Sequence, residues 1–152
     1  EQDFSSNIGF TQILNDYFPV LPDKPVSVGD TWSDTRTLHV PFGGMNLNIT
    51  LVTEYRLDDI LPSKDGPTAF ITTTYKAQVH GRTLEGGAGI FEGTGGGTGF
   101  LHYLTEKGTF SGYQTAFSVQ ASFSVKQGET VLLNWPFSFD SFSLITLNSL
   151  GD

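Results

Sequence analysis

GIFEGTGGGTGFLHY, residues Gly89 to Tyr103, decides how this chain folds. The glycines are phased: Gly87, Gly89, Gly93, Gly95, Gly97 and Gly99 are all odd-numbered, with Phe91 the one odd interruption. In an extended strand successive side chains point to opposite faces. One face of this stretch is then bare, and the other carries Ala88, Ile90, Glu92, Thr94, Thr98, Phe100 and His102. A bare face lets a helix, a ring or a second backbone approach closely, and it lets a sheet bend sharply. Two other readings fail on the residues. A phosphate loop of the form G-x-x-x-x-G-K-[ST] needs a lysine, and the nearest bases, Arg82 and Lys107, lie outside the stretch. A flexible linker is polar and solvated, whereas Ile90, Phe91, Phe100, Leu101, Tyr103 and Leu104 interrupt or flank these glycines.

The two-residue period continues on both sides. From Met45 to Leu57 the odd positions carry Met45, Leu47, Ile49, Leu51, Thr53, Tyr55 and Leu57, and the even ones are polar apart from Val52. From Tyr113 to Val125 one face holds Tyr113, Phe117, Val119, Ala121, Phe123 and Val125, and the other is rich in Ser and Gln. Gly43-Gly44, Lys64-Asp65-Gly66, Lys107-Gly108 and Gln127-Gly128 sit between such runs as hairpin turns. The predicted strands are Thr31 to Phe42, Met45 to Leu61, Thr68 to Arg82, Gly87 to Thr105, Thr109 to Lys126 and Thr130 to Asn148. The last is expected to be interrupted near Pro136 and again where the apolar spacing changes phase at Asp140 to Phe142.

Upstream the period is helical. Ser5 and Ser6 are plausible caps, and Phe10, Ile13, Leu14 and Tyr17 share one face of a predicted helix over residues 7–17. Pro19, Pro22 and Pro25 stop it and carry the chain through an extended crossing, residues 18–30. A sheet with one apolar face must curl or be covered. The helix covers roughly 16 Å, less than strands of this length require. The expected fold is therefore mainly β: a single domain over 1–152, an antiparallel meander of six long strands forming a half-barrel or open barrel, with the helix near its concave face.

Composition narrows the partners. Sixteen acids against eight bases give a formal charge of -8, which argues against nucleic acid or anionic lipid. There is no cysteine, so disulfides, thiolate metal sites and cysteine nucleophiles are all excluded. No run approaches the about 18 apolar residues of a spanning helix, so no transmembrane segment is predicted. The chain opens at Glu1 without a leader, as a processed or excised chain would.

No spacing selects a catalytic or metal site. His39, His80 and His102 lie on different predicted strands and are expected to be exposed. Asp58 and Asp59 are adjacent and point to opposite faces, Asp65 belongs to a turn, and Glu85 and Glu92 flank or join the glycine stretch. Neither a calcium loop nor a G-x-S-x-G elbow is present. Asn48-Ile49-Thr50 fits a glycosylation sequon, a pattern common by chance. Catalytic residues, cofactors and metals are all expected to be none. The candidate docking or ligand face is Gly93, Gly95, Gly97 and Gly99 with the aromatic residues Trp32, Phe91 and Trp135.

Leu21-Pro22-Asp23-Lys24-Pro25-Val26-Ser27-Val28-Gly29-Asp30-Thr31-Trp32, followed by Tyr55-Arg56-Leu57 and the alternating glycines, resembles an uncharacterised family of bacterial secreted and lipoprotein-like β domains. The resemblance spans about Phe18 to Gly128. It implies a cell-envelope, periplasmic or secreted location and no established catalytic residues. Members are generally longer, which implies that this chain corresponds to a C-terminal half. The expected function is non-enzymatic interaction or assembly, with another copy, another domain or a protein as partner. A module holding a lipid or other apolar ligand is the alternative, and a polysaccharide hydrolase using Glu85, Glu92 and Asp140 is a weaker one.

Overall fold

The structure, a computed structural model, describes residues 19–42, 44–83 and 88–146 of the 152-residue chain. The predicted helix over 7–17 lies outside the described residues, as do Glu85, Gly87 and the end of the last predicted strand. The described residues form one sheet of six strands and contain no helix. These are β1 (Thr31–Phe42), β2 (Met45–Leu61), β3 (Thr68–Thr83), β4 (Gly89–Leu104), β5 (Thr109–Gln127) and β6 (Thr130–Thr146). Each pairs antiparallel with the next, and β1 and β6 are free edges of an open, unclosed sheet. The four hairpin turns read from the sequence each place a glycine at positive φ, between 62° and 102°, where a Cβ is unfavourable.

The crossing is pinned by its own motif. Asp30 N donates to Ser27 O at 3.0 Å, and Gly29 at φ 95° turns the chain so that its N–H reaches Leu57 O at 2.8 Å. Trp32 then stacks on Tyr55, ring centroids 5.3 Å apart, and donates its indole N–H to Val20 O at 2.8 Å. The Val-Gly-Asp-Thr-Trp run is thus a turn and an anchor for β1.

Side chains sort by parity across the whole sheet. Rows such as Leu38–Ile49–Val79–Gly93–Ala121–Phe137 run along the concave face, and His39–Asn48–His80–Glu92–Ser122–Pro136 runs along the convex one. The curl is tightest along β4. Flat sheet would hold β3 and β5 roughly 9.5 Å apart, yet they approach within 8 Å, Cα to Cα, across β4. A Cβ built on Gly97 would lie 2.1 Å from Ala116 O and 2.9 Å from Phe117 Cα, and one on Gly93 would lie 2.6 Å from Ala121 Cβ. The phased glycines therefore make a crease. With no side chains from that row, β5 folds over β4, and Phe117, Val119 and Ala121 join Leu47, Ile49 and Val79 of the facing strands in one core cluster.

A second cluster, around Leu57, Ile71 and Leu101, lies at the Trp32 end. Between the two sit Thr53 and Thr73, both 0% exposed, whose hydroxyl oxygens have no hydrogen-bond partner among the described residues. A buried hydroxyl without a partner costs more than the methyl that replaces it. Thr53→Val is expected to raise stability by about 1 kcal/mol, read as a higher urea midpoint at unchanged slope; a lower midpoint contradicts the assignment.

β6 departs from expectation. It runs unbroken through Pro136 and Asp140, and the one irregularity falls earlier, where Val125 pairs with Leu133 but Lys126 with Val131. Proline is tolerated because β6 is an edge strand, where its missing donor faces away from the ladder. The phase change at Asp140 to Phe142 is a change of chemistry rather than of register: Ser141 and Ser143 continue the concave rows, while Phe142 and Leu144 turn outward.

Candidate interaction site

The residues expected to form one docking face fall into three places. Gly93, Gly95, Gly97 and Gly99 lie on the concave face, and the space above them is taken by β5: a Cβ on Gly95 would meet Phe117 Cζ at 2.9 Å and Val119 Cγ2 at 3.0 Å. Trp32 is half-buried against Tyr55 at one end of the sheet. Phe91 is buried near the other end, its ring 5.1 Å from that of Phe137, and Phe123 pairs it to Trp135 through the register. The structure brings Phe91 and Trp135 to one corner and leaves Trp32 roughly 25 Å away along the strands.

That corner opens onto β6, the feature that sequence parity underread. Trp135 is 67% exposed and Phe137 43% on the concave side, while Phe142 and Leu144, each 64% exposed, stand on the convex side. Phe100, exposed on the same convex face, lies two strands away in the row of Leu144. Much of the rest of the convex face is polar, with Thr37, Thr50, Gln78, Thr94, Gln120 and Ser138 forming one complete row, while Val52, Phe70 and Ile90 are half-buried on it. β6 therefore presents apolar side chains on both faces, beside backbone groups that no other strand among the described residues covers. The signal for Phe142 and Leu144 was the phase change, legible as a pattern but not as exposure.

Polar chemistry elsewhere is dispersed. A shallow depression of about 580 Å³ on the convex face is lined by Gln78, His80, Glu92, Thr94, Gln120 and Ser122. His80 Nδ1 lies 3.7 Å from Glu92 Oε1, with both side chains exposed. His39 and His102 are exposed as well. Among the described residues no group of three or more His, Asp or Glu is placed to hold a metal ion. Asp58 is the extra residue of a β2 bulge between Leu57 and Asp59. The Thr72 hydroxyl, with Arg56 Nε at 2.6 Å from its carboxylate, holds its carboxyl below the usual range. Among the described residues a gap of about 20 Å³ on the concave side is lined by Leu51, Tyr75, Tyr113, Thr115, Phe117 and two serines of β6.

No protein-family model, curated protein or solved structure matches this chain. Its geometry defines a class: an open antiparallel meander, creased along a glycine strand, with one apolar free edge among the described residues. No helix among the described residues is long and apolar enough to cross a membrane.

Proposed function

We propose that this is a non-enzymatic cell-envelope or extracellular protein that works by docking another protein on β6. The observation that carries the reading is the exposure of Trp135, Phe137, Phe142 and Leu144 along an unpaired edge, on the described strand that exposes the most large apolar side chains. Long apolar edges are normally shortened, charged or covered, because they recruit other strands and surfaces. β6 has only one charged residue, Asp140, in its 17 residues. Placement outside the cytoplasm rests on the likeness carried by Leu21 to Trp32.

Docking is favoured over cargo binding by volume and lining. An apolar ligand pocket is usually about 300 Å³ or more; the gap beside Tyr75 is about 20 Å³, and the depressions of about 540 Å³ beside Trp32 and about 580 Å³ beside His80 are lined mostly by polar side chains such as Glu54, Arg56, Thr72, Gln78 and Glu92. It is favoured over glycan hydrolysis by distance. Glu92 and Asp140 lie two strands and four register positions apart, roughly 16 Å, beyond the about 5–9.5 Å that separates glycosidase carboxylates.

A photo-crosslinking residue at Trp135 in the full-length protein, expressed in its native cells, is expected to give adducts of defined mass in an envelope or secreted fraction. The same residue at Thr50, on the polar convex face, is expected to give none. Absence of adducts from Trp135, or equal yields at both positions, removes the docking reading.

A further inference from the structure

We infer that the partner on β6 is a second copy of this chain, the two β6 strands lying antiparallel about a twofold axis at Phe137. The inference rests on the docking reading above and names its occupant.

Three observations carry it. The first is area. The seven exposed apolar side chains of β6 leave open roughly 800 Å², which is what each partner buries in a stable interface of standard size.

The second is the mismatch with the other edge. The side chains that β1 presents on its convex face include Ser33, Thr35, Thr37 and His39, and its concave face carries an Asp34–Arg36 ion pair at 2.7 Å. An apolar β6 set against this β1 would bury polar groups and would add copies without limit. β6 against β6 matches like with like and closes at two.

The third is register. An antiparallel pairing about Phe137 sets Leu132 opposite Phe142 of the second copy and Trp135 opposite its Phe139, so apolar groups meet on both faces. It also sets Asn134 opposite Asp140, an amide able to donate to a carboxylate, and does so twice by symmetry. Moving the axis to Asp140 would instead oppose the two carboxylates. Pro136 offers no N–H to the added strand, so the ladder is interrupted near its centre and side chains carry the contact. This also weakens pairing with unrelated strands, which would lack the side-chain match.

Because the chain has no cysteine, the axis can be tested covalently. A residue on the twofold faces its own copy, with Cα atoms about 4.5–5.5 Å apart across the pair, within disulfide reach. Under mild oxidation of the full chain, Phe137→Cys is expected to form a disulfide-linked dimer, and Thr35→Cys on the β1 edge is expected to remain monomeric. Sedimentation of the wild type should report a reversible dimer. Its Kd should rise about 10-fold or more in Trp135→Glu and about 3-fold in Asn134→Asp, and fall about 3-fold in Asn134→Lys.

Asn134 is exposed, so its variants report on register without disturbing the core, and far-UV circular dichroism checks the Phe137 variant. A wild type monomeric at every concentration, or cross-linking of Thr35→Cys as readily as Phe137→Cys, overturns the dimer. A monomeric pure protein whose Trp135 adduct in cells has a mass other than twice this chain overturns self-association while leaving docking in place. No adduct at all removes both.

Discussion

Gly97→Ala is expected to cost about 3 kcal/mol or more, a large part of the roughly 5–15 kcal/mol that holds a domain of this size. The added methyl would start 2.1 Å from the Ala116 carbonyl oxygen and 2.9 Å from Phe117 Cα, both backbone atoms with no rotamer to change. Relief requires β5 to move away from β4. That withdraws Phe117, Val119 and Ala121 from the core they share with β2 and β3.

The neighbouring glycine supplies the control. A Cβ on Gly96 points to the convex face, where it would lie 3.2 Å from Tyr75 O. Gly96→Ala should therefore change stability by less than about 1 kcal/mol, because a small steric cost is offset by the lower entropy of the unfolded chain. Equilibrium urea unfolding of the two variants measures the difference directly. Equal losses at positions 96 and 97 would mean that the crease does not depend on the bare concave face.

The parity of Gly93 to Gly99 was legible because a strand's two-residue period assigns each residue to a face before any tertiary contact is known. The same rule placed β1 and β2 at their observed ends and the other strands within two residues at described ends, with turn glycines fixing each hairpin. What covers the bare face was not legible. β5's Phe117 and Val119 read as members of a separate apolar row, and only the three-dimensional curl sets them over the glycines.

Exposure on β6 was hidden for a similar reason. Trp135, Phe137 and Phe142 have the composition of a core, but being last in an open meander leaves them with a neighbouring strand, β5, on one side only, and strand order does not follow from the residues of β6 alone. Thr53 and Thr73 read simply as part of an alternating face. That both lie in the waist between two clusters depends on cross-strand register, which aligns Thr53 with Tyr75 and Thr73 with Tyr55.

Tyr75 gives the second large expected effect: above pH 10 the protein should lose stability at up to about 1.4 kcal/mol per pH unit from this residue alone. Tyr75 is 7% exposed, and burial, with the Tyr113 hydroxyl close by, pushes its ionisation well above the usual value of 10.0. Below pH 10 the phenol is protonated in both folded and unfolded chains and contributes no pH dependence. Above it the unfolded chain releases the proton while the folded one retains it, so unfolding is favoured increasingly. By pH 12 the loss reaches about 3 kcal/mol. Tyr55, 2% exposed and also raised chiefly by burial, acts in the same direction. Tyr75→Phe should flatten the alkaline slope between pH 10 and 12 relative to wild type, because the substitution removes this ionisable phenol alone; identical slopes would contradict the assignment. The same variant also removes the 3.2 Å contact between the Tyr75 and Tyr113 hydroxyls. That contact joins β3 to β5 over the glycines of β4, so its loss should lower stability at neutral pH by about 1 kcal/mol. The two hydroxyls can meet across β4 because Gly97 and Gly99 have no side chains to interpose there.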